Sequence, residues 1–329
     1  MKALVYTNPL EVTYRDEPDA LADYGESIVE VEAVGICGSD MHAYQGHDAR
    51  RNPPLILGHE VAGKVISGKL KGERVILNPL ITCTHCDYCL TGRSNLCDNR
   101  TMIGMTRPGA FAEQVSIPDH CLVTIPCDMQ AHKAALTEPA ATSLHGLALV
   151  ARVSARPLCE AQALVIGGGS VGLLAALMLH DQGCEKIILA ETNKQRGGTA
   201  SATGVCEVVD PINSQIETDH FDIVVDAVGS GVTRKLASNT VKPGGVLLHI
   251  GLMDNAEGLD MRKMTLAEVI VLGTYTYTTA DLRATVKKLY SGALGTLDWV
   301  EQRSLASGAQ AFDDLLNHRC AAPKIVLHP

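Results

Sequence analysis

The sequence predicts an α/β chain in two parts, a β-rich first domain and a second domain built on a doubly wound parallel sheet. Three observations point there. A chain of 329 residues suits two domains of ordinary size. Up to about Val150, short runs rich in β-branched residues are punctuated by Gly and Pro. Beyond it, short apolar strands alternate with helical segments, as in a parallel sheet covered on both faces.

Taken in order, strands are expected at Ser27–Val34, Val61–Ile66, Arg74–Leu77, Phe111–Ile117 and Cys121–Ile125. The second part offers strands at Ala163–Ile166, Lys186–Ala190, Val205–Val209, Phe221–Asp226, Val246–Ile250 and Val269–Gly273. Helices are expected at Val171–His180 and Val232–Val241. The last fifty residues leave this rhythm, with helices near Asp281–Tyr290 and Ala309–Asn317 and a strand at Lys324–Leu327. They are expected to return to the first domain. The division is therefore 1–148, rejoined by 280–329, and 149–279.

Hydrophobic residues make up 46% and charged residues 20%, the profile of a folded globular chain. The net charge of −9, with no basic cluster, argues against a nucleic-acid partner, whose phosphates call for Lys and Arg. Aromatics at 4% leave little for base stacking. The opening MKALVYTNPLEVTYRDEP lacks the pattern of a secretory signal, so a cytoplasmic location is expected. Ala161–Leu179 carries no charge, but its glycines suit a buried strand, turn and helix rather than a membrane span. No membrane partner is expected.

The segment Ala163-Leu-Val-Ile-Gly-Gly-Gly-Ser-Val-Gly172 carries Gly167, Gly169 and Gly172 in the GxGxxG spacing. That spacing alone is weak, but a strand precedes it, a helix follows, and a second strand is followed by Glu191, nineteen residues after Gly172. Gly167 allows the tight turn, Gly169 lets a pyrophosphate approach the backbone, and Gly172 lets the helix pack on the strand. Ser170 and Val171 open that helix, whose free N–H groups and partial positive charge suit phosphate. Glu191 can accept both ribose hydroxyls and would repel a 2′-phosphate, which favours NAD over NADP. Lys194 and Arg196 soften that preference. A glycine-rich turn in some other α/β protein is the bland alternative.

Eleven cysteines is many, and four of them fall within fifteen residues. Cys83, Cys86, Cys89 and Cys97 are spaced C-x2-C-x2-C-x7-C, the kind of spacing that brings four thiolates to one tetrahedral zinc. An iron–sulfur cluster uses similar spacing, but nothing else in the chain suggests electron transfer. Four protein ligands make a structural site, with His85 a bystander inside the knuckle.

A second set of candidates is scattered. Cys37 lies in GICGSDMH, His59 and Glu60 in GHEVAG, and Glu138 in TEPAATSLHG. One Cys, one His and one or two carboxylates make a catalytic zinc site with an open position. Each residue alone has a structural explanation, as a core thiol, a satisfied histidine or a helix-end acid.

On GICGSDMH, GHEVAG, the four-cysteine knuckle, GAFAEQV, TEPAATSLHG, GGGSVG and a KPGG turn at Lys242–Gly245, the chain resembles the zinc-dependent medium-chain alcohol dehydrogenases over nearly its whole length. TEPAATSLHG is similar to the sorbitol and polyol branch, in which a Glu stands where ethanol-type enzymes carry a third zinc-binding Cys. The resemblance implies a GroES-like catalytic domain and an NAD-binding Rossmann domain. It implies two zinc ions per chain, with Cys37 and His59 holding the catalytic one and Glu60 or Glu138 supplying the third ligand. It also implies Ser39 beside the reacting oxygen, His42 at the end of a proton relay, Asp40 orienting His59, and Thr142 facing the nicotinamide. A homodimer or homotetramer is implied as well. The stretch Lys64–Val75 is shorter than the family usually has.

The expected reaction moves a hydride between a secondary alcohol, a polyol or sugar alcohol, and NAD to give a ketone. Threonine and sugar-alcohol phosphates are alternative substrates, and a non-catalytic NAD-binding regulator is the alternative outside enzymes. Phosphate would need cations; Arg50, Arg51 and Arg107 are the candidates, with a solvated face as their plainer use.

Overall fold

The computed structural model describes residues 1–329. In its first part, a mainly antiparallel sheet runs in the order Leu122–Thr124, Arg74–Leu77, Glu60–Ser67, Glu26–Gly35, Lys324–His328, Val300–Ser304, with Gln114–Pro118 also paired to Glu26–Gly35. Its two C-terminal strands come from the far end of the chain. Val326 faces Gly35 across an antiparallel pair, and Val300–Ser304 runs parallel to Lys324–His328. A smaller sheet of Glu11–Asp16, Lys2–Asn8 and Leu55–Ile56 lies beside it.

The second sheet is parallel throughout, in the order Glu207–Val209, Lys186–Ala190, Gln162–Ile166, Phe221–Asp226, Val241–His249, Ile270–Gly273. Strand order reverses at Gln162–Ile166, which leaves a crevice at its carboxyl end. The glycine loop sits there. Phe221–Asp226 is buried along its whole length because helices cover both faces of the sheet. The uncharged stretch from Ala161 divides into the strand Gln162–Ile166 and the helix Ser170–Asp181, and no helix is long and apolar enough to cross a membrane.

The strand predicted from Phe111 begins at Gln114, because Ala110 and Phe111 bond to Gly58 and Leu57 instead. The strand predicted from Val205 is confined to Glu207–Val209. The KPGG segment is not a turn between elements. It forms a bulge inside Val241–His249, where the register jumps from Phe221↔Val241 to Ile223↔Val246 and Gly244 has φ 70°. Lys64–Val75 is a tight hairpin, with Gly68, Leu70 and Gly72 all at positive φ.

One long helix, Thr137–Val153, carries Glu138 at its start and runs through the expected 148/149 division. Its Ser143 hydroxyl donates to the Val171 carbonyl at 2.9 Å, which ties it to the helix that follows the glycine loop.

Candidate active site

Two elements meet at the first cluster of donors. Cys37 precedes the helix Gly38–Tyr44, whereas His59 and Glu60 stand at the start of the strand Glu60–Ser67. One donor atom from each of Cys37, His59 and Glu60 lies within 4.8 Å of the others. Gly35 pairs with Glu60 across the strands, and a Cβ built on it would come within 2.0 Å of the Glu60 carboxylate. Only glycine leaves room there. Asp40 serves two donors at once. Its Oδ2 accepts the Cys37 N–H at 3.0 Å, and its Oδ1 lies 3.4 Å from His59 Nδ1.

Burial raises the cost of every charge here, so each must be matched. The Lys324 ammonium donates to both Glu60 oxygens at 2.6 and 2.7 Å and to the Ile36 carbonyl at 2.7 Å. Burial works against the lysine charge, but Glu60 and Cys37 lift its pKa above the ordinary value, so it stays protonated. Glu138 lies outside the donor set of Cys37, His59 and Glu60. Its Oε1 accepts the Tyr277 hydroxyl at 2.6 Å. Burial pushes the Glu138 carboxyl above its ordinary 4.5, against the pull of His59.

Ser39 Oγ lies 3.5 Å from His59 Nε2 and accepts from Arg51 at 3.3 Å. His42, half-buried on the same helix, has its pKa lowered by burial and by His47. Thr142 donates to the Glu138 carbonyl at 3.4 Å and is half-buried.

The arginines depart from both sequence expectations. Arg51 is 2% exposed and bonded to Asp48, Ser39 and Gly104, so it is a buried brace for the loop around Ser39. Arg107 is paired in two bonds with Glu26. Only Arg50 is exposed, and Asp48 takes two of its nitrogens. Neither a phosphate pocket nor a merely solvated face describes the three.

The second cluster is the knuckle. Cys83, Cys86, Cys89 and Cys97 lie within 4.8 Å of one another. Their sulfurs are 3.5 Å apart for Cys86–Cys89 and Cys83–Cys97, and 4.0 Å for Cys83–Cys89. Four sulfurs at about 2.3 Å from one ion stand about 3.8 Å apart, so the cluster already has the size of a tetrahedral thiolate site. His85 lies outside that set, with its Nδ1 2.6 Å from the Cys83 carbonyl.

In the glycine loop, Gly167 has φ 100°, and a Cβ on Gly172 would come within 1.9 Å of the Gly167 carbonyl oxygen. The protein's own packing therefore explains both glycines. It does not explain Gly169, whose Cβ would meet no atom within 4 Å. The space beside it is what a pyrophosphate needs. Ser170 and Val171 open the helix behind it. Glu191 is buried; it accepts the Gly168 N–H at 2.8 Å, the Asn193 N–H at 2.7 Å and Arg196 at 3.2 Å. A carboxylate has about four acceptor positions, so capacity remains for a ligand hydroxyl.

Lys324, Tyr277 and the role of Arg51 were not visible in the sequence. A lysine opening the apolar run KIVLH was the one available hint, since its strand neighbours Ile325, Val326 and Leu327 are fully buried.

Residues 23–127 match the family model described as alcohol dehydrogenase GroES-like domain, and residues 170–291 match the one described as zinc-binding dehydrogenase. The chain is 28% identical to L-galactonate-5-dehydrogenase of Escherichia coli (strain K12), with 97% of this chain and 96% of that protein covered. It is 27% identical to L-threonine 3-dehydrogenase of a Chelativorans species, with 98% and 92% covered. The structure of acetophenone reductase from Geotrichum candidum in complex with NAD superposes with a TM-score of 0.88 at 25% identity, covering 100% of this chain and 97% of that one.

Proposed function

The chain belongs to the zinc-dependent medium-chain alcohol dehydrogenases, and from that membership we propose that it oxidises a secondary alcohol group of a small polyol or sugar alcohol with NAD to give a ketone. The observation that carries the proposal is the joint placement of Cys37, His59 and Glu60 around one point, beside the Ser39 hydroxyl. Cys37 and His59 would hold the catalytic zinc, with Glu60 as the third donor in reach. The four knuckle cysteines would hold a second, structural zinc.

When bound, the zinc supplies Lewis acidity toward the alcohol oxygen, and NAD supplies the hydride acceptor. The chain's own residues do the rest. Ser39 Oγ accepts from Arg51, which leaves its own proton free to shift as it takes the substrate proton. His42 is held neutral near pH 7 by its lowered pKa and can receive that proton. Asp40 keeps Cys37 and His59 in place, and Lys324 compensates the charge of Glu60. The glycine loop and Glu191 would hold the cofactor's pyrophosphate and ribose, and Thr142 would lie on the nicotinamide side. Residues 1–148 with 280–329 act as the catalytic unit and 149–279 as the cofactor unit, with the helix Thr137–Val153 shared between them.

Two features favour a neutral polyhydroxylated substrate. All three Phe residues and the single Trp, Trp299, are buried in hydrophobic cores, so none is free to line an apolar cleft. The arginines that could meet a phosphate are engaged by Asp48 and Glu26. The test is NADH absorbance with polyols, threonine, aldonates and sugar-alcohol phosphates, each with NAD and with NADP. Polyols should give the highest kcat/KM. A phosphorylated or amino-acid substrate preferred tenfold or more, on the scale of about one good contact, would overturn the assignment.

A further inference from the structure

The knuckle and the catalytic cluster are separate in sequence, but one short segment touches both. Residues 274–278 join the last strand of the parallel sheet to the helix Thr279–Tyr290. From the knuckle side, the buried Asn95 amide donates to the Tyr275 carbonyl at 2.9 Å, and the Arg100 guanidinium sits 5.0 Å above the Tyr275 ring. From the catalytic side, the Tyr277 hydroxyl donates to Glu138. Between these two anchors, Thr276 has φ 46°, a left-handed conformation that β-branched residues avoid. Such a conformation persists only where its surroundings over-determine it.

A third tie completes the arrangement. His145 lies two turns beyond Glu138 on the same helix face. Its Nδ1 is 2.9 Å from Asp281, which also accepts from the Thr278 N–H and hydroxyl. Donation from Nδ1 leaves Nε2 to accept, and the Asn95 amide is 3.5 Å from it. Asn95 therefore sits between the segment and the helix that carries Glu138.

We propose that Asn95 is a positioning residue for the reaction: by fixing Tyr275 it keeps the Tyr277 hydroxyl on Glu138, so that the four-cysteine lobe sets the geometry of the catalytic carboxylate. This rests on the reading that Glu138, buried and implied by the family resemblance as the alternative third ligand, acts in the site beside Glu60. A hydrogen bond at 2.6 Å is lost with a displacement of less than 1 Å, and misplacement on that scale is expensive in rate.

The experiment uses the zinc-loaded enzyme with its metal content measured. Asn95→Asp keeps the volume and removes the donor; Asn95→Ala is read in its place if the aspartate variant loses metal. Tyr277→Phe removes the hydroxyl alone. Each single variant should keep wild-type zinc content and lose about tenfold in kcat/KM for the alcohol. The double variant should fall less than about threefold below Tyr277→Phe, because both substitutions break one linkage. Losses that multiply in the double variant, or wild-type kinetics in both Asn95 variants, overturn the proposal. Glu138→Gln separates the two levels: wild-type turnover there removes the premise about Glu138, whereas an impaired Glu138→Gln beside fully active Asn95 variants removes the coupling alone.

Discussion

The Lys324 ammonium bridges both carboxylate oxygens of Glu60, and the two side chains are 1% and 0% exposed. A pair so enclosed adds little over a well-packed apolar one, yet breaking it strands a charge. Lys324→Met should therefore cost about 3–5 kcal/mol. Adding Glu60→Gln should recover most of that loss, since neither charge then remains. Urea midpoints of the single and double variants decide it. An unchanged midpoint in Lys324→Met would show that the pair contributes nothing.

Cys37→Ala or His59→Ala should abolish turnover while NAD binding survives, because the glycine loop lies on the other domain. Metal analysis should find two zinc ions in the wild type and one in each variant. Turnover retained within about tenfold, worth about 1.4 kcal/mol, would count against a catalytic metal at these residues.

The glycines should separate by substitution. Gly172→Ala places a methyl 1.9 Å from a backbone oxygen and should unfold the loop or the domain. Gly169→Ala meets only open space, so the thermal midpoint should hold while NAD affinity falls by about tenfold or more. Calorimetric titration with NAD reads this directly. Undiminished affinity would mean that no pyrophosphate approaches there.

Glu191→Ala should bring the affinities for NAD and NADP closer together. It also frees the Gly168 and Asn193 N–H groups that the carboxylate now occupies, and these suit a 2′-phosphate. Arg196 is released for the same use. Dissociation constants for both cofactors, before and after substitution, are the measurement. A wild type that already prefers NADP would refute the ribose role.

Acid should weaken the clamp between the helix Gly308–Leu316 and the strand Val300–Ser304. Arg303, with Gln310 and Arg319, holds the Asp314 carboxyl down from 3.8 to about 2. A carboxyl with a depressed folded-state pKa contributes stability that is fully present above 3.8 and disappears as pH falls toward 2. The thermal midpoint of Asp314→Asn should lie below the wild type at pH 6 and converge with it near pH 2. Parallel curves across that range would exclude the linkage.

Chemistry written in contiguous residues was legible before any coordinates. Gly167, Gly169 and Gly172 work through the backbone of one turn, and Cys83, Cys86, Cys89 and Cys97 through short loops, so spacing carries the geometry. The strands and helix flanking the glycine loop were equally plain, because apolar periodicity reports burial directly, whereas the short elements around the knuckle and the helix Thr137–Val153 were not foreseen. The family's scattered donors, Cys37, His59, Glu60 and Glu138, were found by resemblance, but which carboxylate joins the cluster was not.

That choice belongs to the tertiary structure. Lys324 reaches Glu60 across 264 residues, Tyr277 reaches Glu138 across 139, and Asn95 reaches Tyr275 across 180. By residue type a lysine reads as surface and an asparagine as a loop; only the return of the C-terminal strand buries the one, and only the packing of the knuckle on the other domain buries the other. Local pattern encodes which groups exist and what they can do. Which charge is compensated, and which carboxylate is held where, depends on contacts between distant segments, and chain spacing carries no record of those.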